Sequence, residues 1–412
     1  MDRVSLPAEF IELLHLSLDE PICSRVIEAI SKTSPSISIR VNPNKRVDSK
    51  CDSVVNLAKS LNRAVPWCNE GYYLDSRPSF TFDPSFHCGA YYVQEASSMA
   101  IGLVKPFLDS FGKAINILDM CAAPGGKSTH LISLMPNGSH FTANEFVRAR
   151  VTPLRENLIK WGNHKVKVTN FTSSQILNYC LKSDSFFDFI LVDAPCSGEG
   201  MFRKDSSAIK EWSREAVELC CSRQRSILKD MWGSLADGGY LLYSTCTFNI
   251  FENDKNVEWM KENFGAVVTP LISIEQALEW GVIVADCGGY RFLPGMVNGE
   301  GLFMALLHKP KAKERLNSLS GLKSLVEPES VESVFSYEPI FENSLNLPKW
   351  ELDRDMAIKY LSKESIKLGE SAPKGLLIFT YGGLNLGYGK NIGSRVNNLY
   401  PQNWRIRSSR GV

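Results

Sequence analysis

Between Ile115 and Lys309, short apolar runs alternate with amphipathic stretches, and this rhythm limits the possible folds more than any other feature of the chain. INILDM, HFTANE, KVKVTN, FFDFILVDAP and YLLYSTCTF read as strands. KSTHLISLM, RARVTPLRENLIKWG and the stretch from Ser213 to Leu235 read as helices. A chain that alternates in this way crosses back over its sheet after each strand, which makes neighbouring strands parallel. The expected class is α/β, a mostly parallel sheet with crossover helices, and GLFMALLHK (301–309) reads as its last strand.

The flanks break the rhythm. In the opening MDRVSLPAEFIELLHLSLDE, residues Phe10, Leu13, Leu14 and Leu18 recur at the spacing of one amphipathic helix. SISIRVNP (36–43) alternates like a strand, and a polar, aromatic-rich stretch then runs to GAYYVQEASSM (89–99). A small α+β unit over residues 1–90 is therefore expected ahead of the core at 91–309. Residues 310–345 are rich in Lys, Glu, Ser and Pro and read as a linker. MAIKYLSKESI reads as a helix, and the Gly-, Asn- and aromatic-rich end as a β-rich module, together spanning 346–412.

A formal net charge of +1 neither favours nor excludes a polyanionic partner, but its distribution is uneven. Pro373 to Val412 holds six basic residues (Lys374, Lys390, Arg395, Arg405, Arg407, Arg410) and no acid. Interleaved with Phe379, Tyr381, Tyr388, Tyr400 and Trp404, they suit loop or single-stranded RNA, although most of these aromatics also fit a small core. Arg40, Lys45 and Arg46 read as a solvated face. The eleven cysteines form no Cys-x-x-Cys pair, which argues against a disulfide framework or a structural zinc site, so no metal is expected. No apolar run approaches the ~20 residues that span a bilayer, and acids interrupt the opening apolar pattern, unlike a secretory signal. A reduced, cytoplasmic monomer with no membrane attachment is expected.

LDMCAAPGGKSTH sets Gly125 and Gly126 between a strand and a helix, where backbone can approach a ligand and helix N–H groups are unpaired. A Walker A loop needs a Gly where Cys121 stands, and G-x-G-x-x-G is absent. A plain connection remains the bland alternative. Glu145, ending the next strand, can accept hydrogen bonds from a ribose diol. An adenosyl ligand without a phosphate chain fits this pattern, and S-adenosylmethionine is such a ligand.

DAPCSGEG (193–200) and STCTF (244–248) each place a cysteine just past an apolar strand, where ligands of open α/β sheets bind. A single such Cys is usually a small buried hydrophobe. Two of them, Cys196 and Cys246, beside Asp193 and the glycine turn, suit covalent catalysis on cytosine. A thiolate added to carbon 6 makes carbon 5 nucleophilic, and a second base then removes the carbon-5 proton. Asp193 is the expected contact to N3, as a donor only if protonated, and Lys127 can add positive charge.

These motifs resemble the Sun/Nop family of RNA cytosine-5 methyltransferases, and within it the bacterial RsmF-like branch. The resemblance extends over CAAPGGK (121–127), DAPCSGEGMFRK (193–204), STCTF, SIRVNPNK (38–45), GAYYVQEASSM, RFLPGMVNGEGLFMALLHK (291–309) and KNIGSRVNNLYPQNWRIR (390–407). It implies a Rossmann-like class I methyltransferase core with S-adenosylmethionine as cofactor, a small α+β N-terminal domain and a PUA-like C-terminal module. It implies Cys246 as nucleophile and Cys196 as the thiol that assists release. The cofactor residues it implies are Cys121, Ala122, Ala123, Pro124, Gly125, Gly126, Lys127, Glu145, Arg150 and Asp193. Thr172 stands where relatives often carry an Asp near the adenine. Lys390, Arg395, Trp404, Arg405 and Arg407 would meet RNA. The implied substrate is ribosomal RNA, naked or within a subunit, and of the small subunit. A tRNA substrate, or a non-catalytic role in ribosome assembly, is the alternative.

Overall fold

The computed structural model describes residues 6–162, 166–311 and 346–407, so positions 312–345 of the expected linker lie outside the described residues. The opening forms two helices rather than one, α1 (Ala8–Ser17) and α2 (Glu20–Lys32). Pro21 explains the break. In the first turn of α2 its missing N–H is one that has no helical partner anyway, whereas inside a continuing helix it would remove a bond and clash. Then follow β1 (Ile37–Val41), α3 (Val54–Leu61), β2 (Ala64–Val65), β3 (Cys68–Leu74), α4 (Pro84–His87) and β4 (Tyr91–Val93). They make an antiparallel sheet of order β2-β3-β1-β4, with Ile39 opposite both Tyr72 and Val93.

The central sheet begins after α5 (Lys105–Ser110). Its elements are β5 (Asn116–Asp119), α6 (Gly126–Leu134), β6 (His140–Asn144), α7 (Arg148–Trp161), β7 (Val166–Thr169), α8 (Ser173–Ser183) and β8 (Phe187–Asp193). The chain continues through α9 (Ser206–Glu211), α10 (Arg214–Ser234), β9 (Leu235–Thr245), α11 (Asp254–Phe264), β10 (Val267–Thr269), α12 (Ile274–Trp280), β11 (Ile283–Val284), β12 (Tyr290–Phe292) and β13 (Leu302–His308). Strand order is β11-β12-β13-β9-β8-β5-β6-β7, with β10 also on β13. From β9 to β7 neighbours run parallel, while β13 is antiparallel to β9. The chain leaves β5 towards β6 and β7, then crosses to β8 on the other side. That reversal opens a crevice at the carboxyl ends of β5 and β8.

Alternate strand residues enter opposite cores. Ile117, Phe141, Phe189 and Leu242 pack with Leu131 and Leu154, and with Val65 and Trp67 of the N-terminal sheet. Leu118, Ile190, Leu241 and Tyr243 pack with Ile176, Leu228 and Met231. Among the described residues no helix is long and apolar enough to cross a membrane.

The C-terminal part contains β14 (Lys349–Glu351), α13 (Arg354–Leu361), β15 (Gly375–Tyr381), β16 (Leu384–Asn391) and β17 (Val396–Asn398), in a sheet of order β14-β15-β16-β17. Trp404 corrects one expectation. It is only 8% exposed, with its ring 6.0 Å from Tyr400 and the Lys160 ammonium 5.2 Å over it, so no base can stack on it. Phe379, Tyr381 and Tyr400 are core as well, whereas Lys390, Arg395, Arg405 and Arg407 are exposed.

Arg40 and Lys45 are not a solvated face either. Arg40 is 1% exposed; its Nε donates to Gln94 Oε1 (2.7 Å) and its Nη2 to Thr129 Oγ1 (2.6 Å) and the Gly126 carbonyl (3.1 Å). Its guanidinium also lies 4.3 Å from the Trp161 ring. The Lys45 ammonium turns inward to the carbonyls of Cys88 (2.7 Å) and Lys160, and burial pulls its pKa down to about 7. Both cations join β1 or its following turn to the central domain's helices. Arg40→Ala should cost roughly 3 kcal/mol, the scale for leaving partners of a buried charged hydrogen bond unmatched. Urea unfolding with an unchanged m-value checks this, and Arg40→Lys, lacking the planar fork, should recover only part.

Candidate active site

The loop after β5 is held from three sides. Gly125 (φ +112°) precedes α6 in a conformation that a side chain would strain. The Ala122 N–H donates to the Asn144 carbonyl (2.8 Å), and the Pro124 carbonyl accepts from Asn157 Nδ2 (2.8 Å). Glu145, buried at the end of β6, accepts from the N–H groups of Val147 (2.8 Å) and Ala123 (3.3 Å). Arg150 Nη1 lies 3.6 Å from that carboxylate, and its Nη2 donates to the Ala123 carbonyl (2.6 Å). Cys121 is half-buried, and burial, with Asp119, Asp193 and Glu145 nearby, pushes its thiol far up. Thr172 caps α8: its hydroxyl accepts from the Gln175 N–H (3.2 Å), and Gln175 returns the bond. In this arrangement the hydroxyl serves the helix. Asn170, two residues earlier, donates to the carbonyls of Glu145 (2.5 Å) and Phe146 (2.8 Å).

Asp119 is a site residue that the sequence reading leaves out. It ends β5, 1% exposed, with Oδ2 accepting from Ser128 Oγ (2.6 Å) and Oδ1 without a partner. Burial pushes its carboxyl up to about 7. A buried oxygen with a free lone pair at the foot of a glycine turn is where a ligand ammonium would dock. An acid closing the apolar run INILDM was the available signal.

The two strand-end thiols meet. Cys196 Sγ and Cys246 Sγ lie 3.3 Å apart, both half-buried. Beside them Lys127 Nζ donates to Asp193 Oδ2 (2.8 Å), and Ser244 Oγ, opposite Asp193 in the β8–β9 register, donates to its Oδ1 (2.8 Å). Both Asp193 oxygens are thus committed as acceptors, and the donor role once considered for it is not the one it has here. Burial opposes the charge on Lys127, but Asp193 outweighs it and the ammonium's pKa rises. The hydrogen bond from Cys196 draws Cys246 below the ordinary thiol value against its burial, and Lys127 pulls the same way. The same hydrogen bond, then burial and Glu252, push Cys196 up. When one proton leaves the pair, these influences favour Cys246 as the thiolate and Cys196 as the thiol that donates to it.

Two buried carboxylates fix the cysteine loops to each other, and neither was legible from sequence. Glu199 accepts from the N–H groups of Phe248 (2.6 Å) and Asn249 (3.1 Å), from Trp212 Nε1 (3.1 Å) and from Asn249 Nδ2 (2.9 Å). Glu252 accepts from the Ser197 N–H (3.0 Å), Gln224 Nε2 (2.7 Å) and Asn249 Nδ2 (2.8 Å). Gly200 completes the join: its N–H donates to the Cys246 carbonyl (2.7 Å), which a Cβ would approach to 2.8 Å.

Comparison with known proteins places this geometry. Residues 110–308 match the family described as 16S rRNA methyltransferase RsmB/F, residues 6–96 the N-terminal domain of 16S rRNA methyltransferase RsmF, and residues 348–406 the methyltransferase RsmF PUA domain. The ribosomal RNA small subunit methyltransferase F of Photobacterium profundum is 33% identical over 76% of this chain and 67% of its own length. The chain belongs to the RsmF-like family of 16S rRNA methyltransferases. The corresponding protein of Cronobacter sakazakii is 34% identical over 76% of this chain, which spans 65% of that relative's length. A crystal structure of a methyltransferase homologue from Pyrococcus horikoshii aligns with a TM-score of 0.54 and 28% identity, covering 74% of this chain and all of that one. The cofactor of this family is S-adenosylmethionine, and the residues present fit it: a partnerless buried Asp119 oxygen, the braced Glu145 carboxylate and the Gly125 turn.

Reactivity tests the thiol pair. Lys127→Met and Cys196→Ala each remove a partner that favours the Cys246 thiolate, so each should move the pH midpoint of Cys246 alkylation upward. At neutral pH the rate should fall roughly tenfold for each unit of that shift. Peptide mapping separates Cys246 from the other cysteines, and unchanged midpoints in both variants would refute the assignment.

Proposed function

We propose that this chain is an S-adenosylmethionine-dependent RNA (cytosine-5)-methyltransferase acting on small-subunit ribosomal RNA through a covalent bond from Cys246 to carbon 6 of the base. The observation that carries this reading is the pair of thiols 3.3 Å apart at adjacent strand ends, next to the Lys127–Asp193 ion pair. The cofactor, when bound against Asp119, Glu145 and the 121–127 loop, supplies the methyl group that carbon 5 receives.

The remaining work falls to the chain's own residues. The Cys246 thiolate adds to carbon 6, and the electron pair displaced towards N3 is met by the Lys127 ammonium, which Asp193 holds in place. Forming that bond consumes the Cys246 charge and ends the hydrogen bond to Cys246 that is the main cause of the high Cys196 pKa. Lys127 is then the nearby charge without a competing thiolate, and Cys196 can give its proton to solvent. As a thiolate it takes the proton from methylated carbon 5. The freed electron pair restores the C5–C6 double bond and expels Cys246 as the thiolate, which returns the pair to its starting state with one net proton released. A base is reached this way only outside its stack, in a loop or flipped out.

In this reading residues 1–90 face the substrate, 91–309 catalyse, 310–345 link and 346–412 hold RNA in a PUA-like module, within a cytoplasmic monomer. Exposed Lys390, Arg395, Arg405 and Arg407 are proposed phosphate contacts. Replacing all four by Ala should weaken RNA binding and reduce the slope of log K against log salt by about 0.7 for each lost contact. Filter binding across a salt series measures both, and an unchanged slope would remove this surface from the interface.

The cysteines are tested with 16S RNA and with small subunits, using labelled S-adenosylmethionine. Cys246→Ala should give neither methylation nor a denaturation-stable adduct. Cys196→Ala should accumulate the adduct while turnover falls by about two orders of magnitude or more, the scale of a lost general base. Methylation retained by Cys246→Ala would overturn the nucleophile assignment, and labelling of tRNA alone would overturn the substrate.

A further inference from the structure

A second set of chemically capable side chains lies away from the thiol pair, where the N-terminal sheet meets α6. Cys68 and Glu70, two residues apart on β3, and His130 on α6 bring one ligand atom each within 4.8 Å of one another. Cys68 Sγ and His130 Nε2 are 3.9 Å apart. Cys68 and His130 are buried, and Glu70 is half-buried.

We propose that Cys68, Glu70 and His130 form a binding site for one divalent cation of the zinc type, with solvent completing the coordination. Each donor suits that ion: a thiolate, a carboxylate and a neutral imidazole are its ordinary ligands. Distances of roughly 2.0–2.3 Å to a tetrahedral zinc place its ligand atoms roughly 3.3–3.7 Å apart, so the 3.9 Å between Cys68 and His130 needs a small closure and the half-buried Glu70 side chain, within 4.8 Å of both, swings in to complete the set. The imidazole is prepared for the role. Burial, reinforced by the Arg40 charge, drives the His130 pKa far down, which leaves the ring neutral with a lone pair to give. Its Nδ1 has no hydrogen-bond partner although the residue is only 3% exposed. The ring is also fixed in place, since a Cβ on Gly102 would come within 2.8 Å of its Cε1. On the other side the amides of Glu70 and Gly71 point at Cys68 Sγ and favour its thiolate, while burial holds the free thiol up at about 11.

Arg40 is the cation that acts on both Cys68 and His130. Its guanidinium is already engaged by Gln94, Thr129 and the Gly126 carbonyl, and the Cys68 thiolate with Glu70 supplies two negative charges to offset the ion. Binding replaces the Cys68 S–H proton by the metal and releases that proton to solvent, so affinity should rise with pH. The ion would tie β3 to α6, four residues beyond the cofactor turn at Gly126. The site needs no methyl transfer to be detected, so its failure would leave the proposed reaction untouched.

The experiment titrates the full chain with zinc against a chromophoric chelator, and with cobalt for its thiolate charge-transfer band. The Cys196→Ser/Cys246→Ser double variant is used throughout, because those two thiols can also bind a soft metal. One equivalent should bind. Cys68→Ser and His130→Gln should each weaken it by at least tenfold, since a lost ligand costs no less than a lost supporting partner. The cobalt band should vanish in Cys68→Ser and persist, shifted, in His130→Gln. Glutamine at position 130 keeps a polar group of similar length, and circular dichroism verifies that both variants are folded. No binding by the double variant, or equal binding by folded Cys68→Ser and His130→Gln, would overturn the proposal.

Discussion

The Lys127–Asp193 ion pair is the contact on which the site's geometry turns. Lys127 stands in the first turn of α6, directly after the glycine loop, and Asp193 closes β8. Their 2.8 Å contact therefore spans the crevice that strand order opens between β5 and β8. A partly buried pair of this kind returns little net stability once desolvation is counted. Its value is positional: it holds one positive charge beside Cys246, with one Asp193 oxygen on Lys127 and the other fixed by Ser244. The fold supplies the adjacency, because β8 and β9 are parallel neighbours in a register that sets Asp193 against Ser244.

Around that centre, buried cations do work that apolar packing cannot. Arg40 binds the carbonyl of Gly126 in the first turn of α6, and Lys45 and Lys160 lie where the N-terminal sheet, α7 and the C-terminal core meet. Turn carbonyls such as that of Cys88, and those of a helix C-terminus such as that of Lys160 in the last turn of α7, lie outside regular ladders, and the Lys45 ammonium donates to both. Removing the charge is then costly even though its presence adds modestly. This explains why three basic residues in SIRVNPNKR divide as they do: Arg40 and Lys45 turn inward while Arg46 stays exposed.

What sequence could disclose follows from how local each signal was. Strands β5 to β9 stood out because each is an apolar run bounded by a polar turn, and the residues that end them, Asp193 and the two cysteines, were found at the same time. β3 was not seen: CNEGYYL mixes Gly and polar residues, and becomes a strand only through pairing with β1 and β2. Pro21 is the local mark of the split between α1 and α2, and the apolar spacing of Phe10, Leu13, Leu14 and Leu18 does not show it. Trp404 was misassigned because an aromatic between arginines looks alike whether it stacks on a base or on Tyr400, and only burial separates the two. Glu199, Glu252 and His130 could not be found at all. The bonds that join the two loops reach 49 residues from Glu199 to Phe248 and 55 from Glu252 to Ser197, and the His130 contact with Cys68 reaches 62.

The order of the two thiols shows most clearly what tertiary structure adds. Both follow an apolar strand, and either is chemically able to attack carbon 6. The asymmetry lies in the surroundings. The hydrogen bond from Cys196, then the Lys127 charge, lower Cys246 against burial and the Asp193 and Glu252 charges, whereas that same hydrogen bond, burial and Glu252 all raise Cys196. At 3.3 Å two thiolates would repel strongly, so the pair carries at most one negative charge, and the mutual hydrogen bond together with Lys127 favours Cys246 as its holder. The same closeness makes the arrangement reversible. Whatever neutralises Cys246 removes the chief obstacle to ionising Cys196, so base and nucleophile need not be present together. A pair built this way can use one site charge twice, first for addition and then for release.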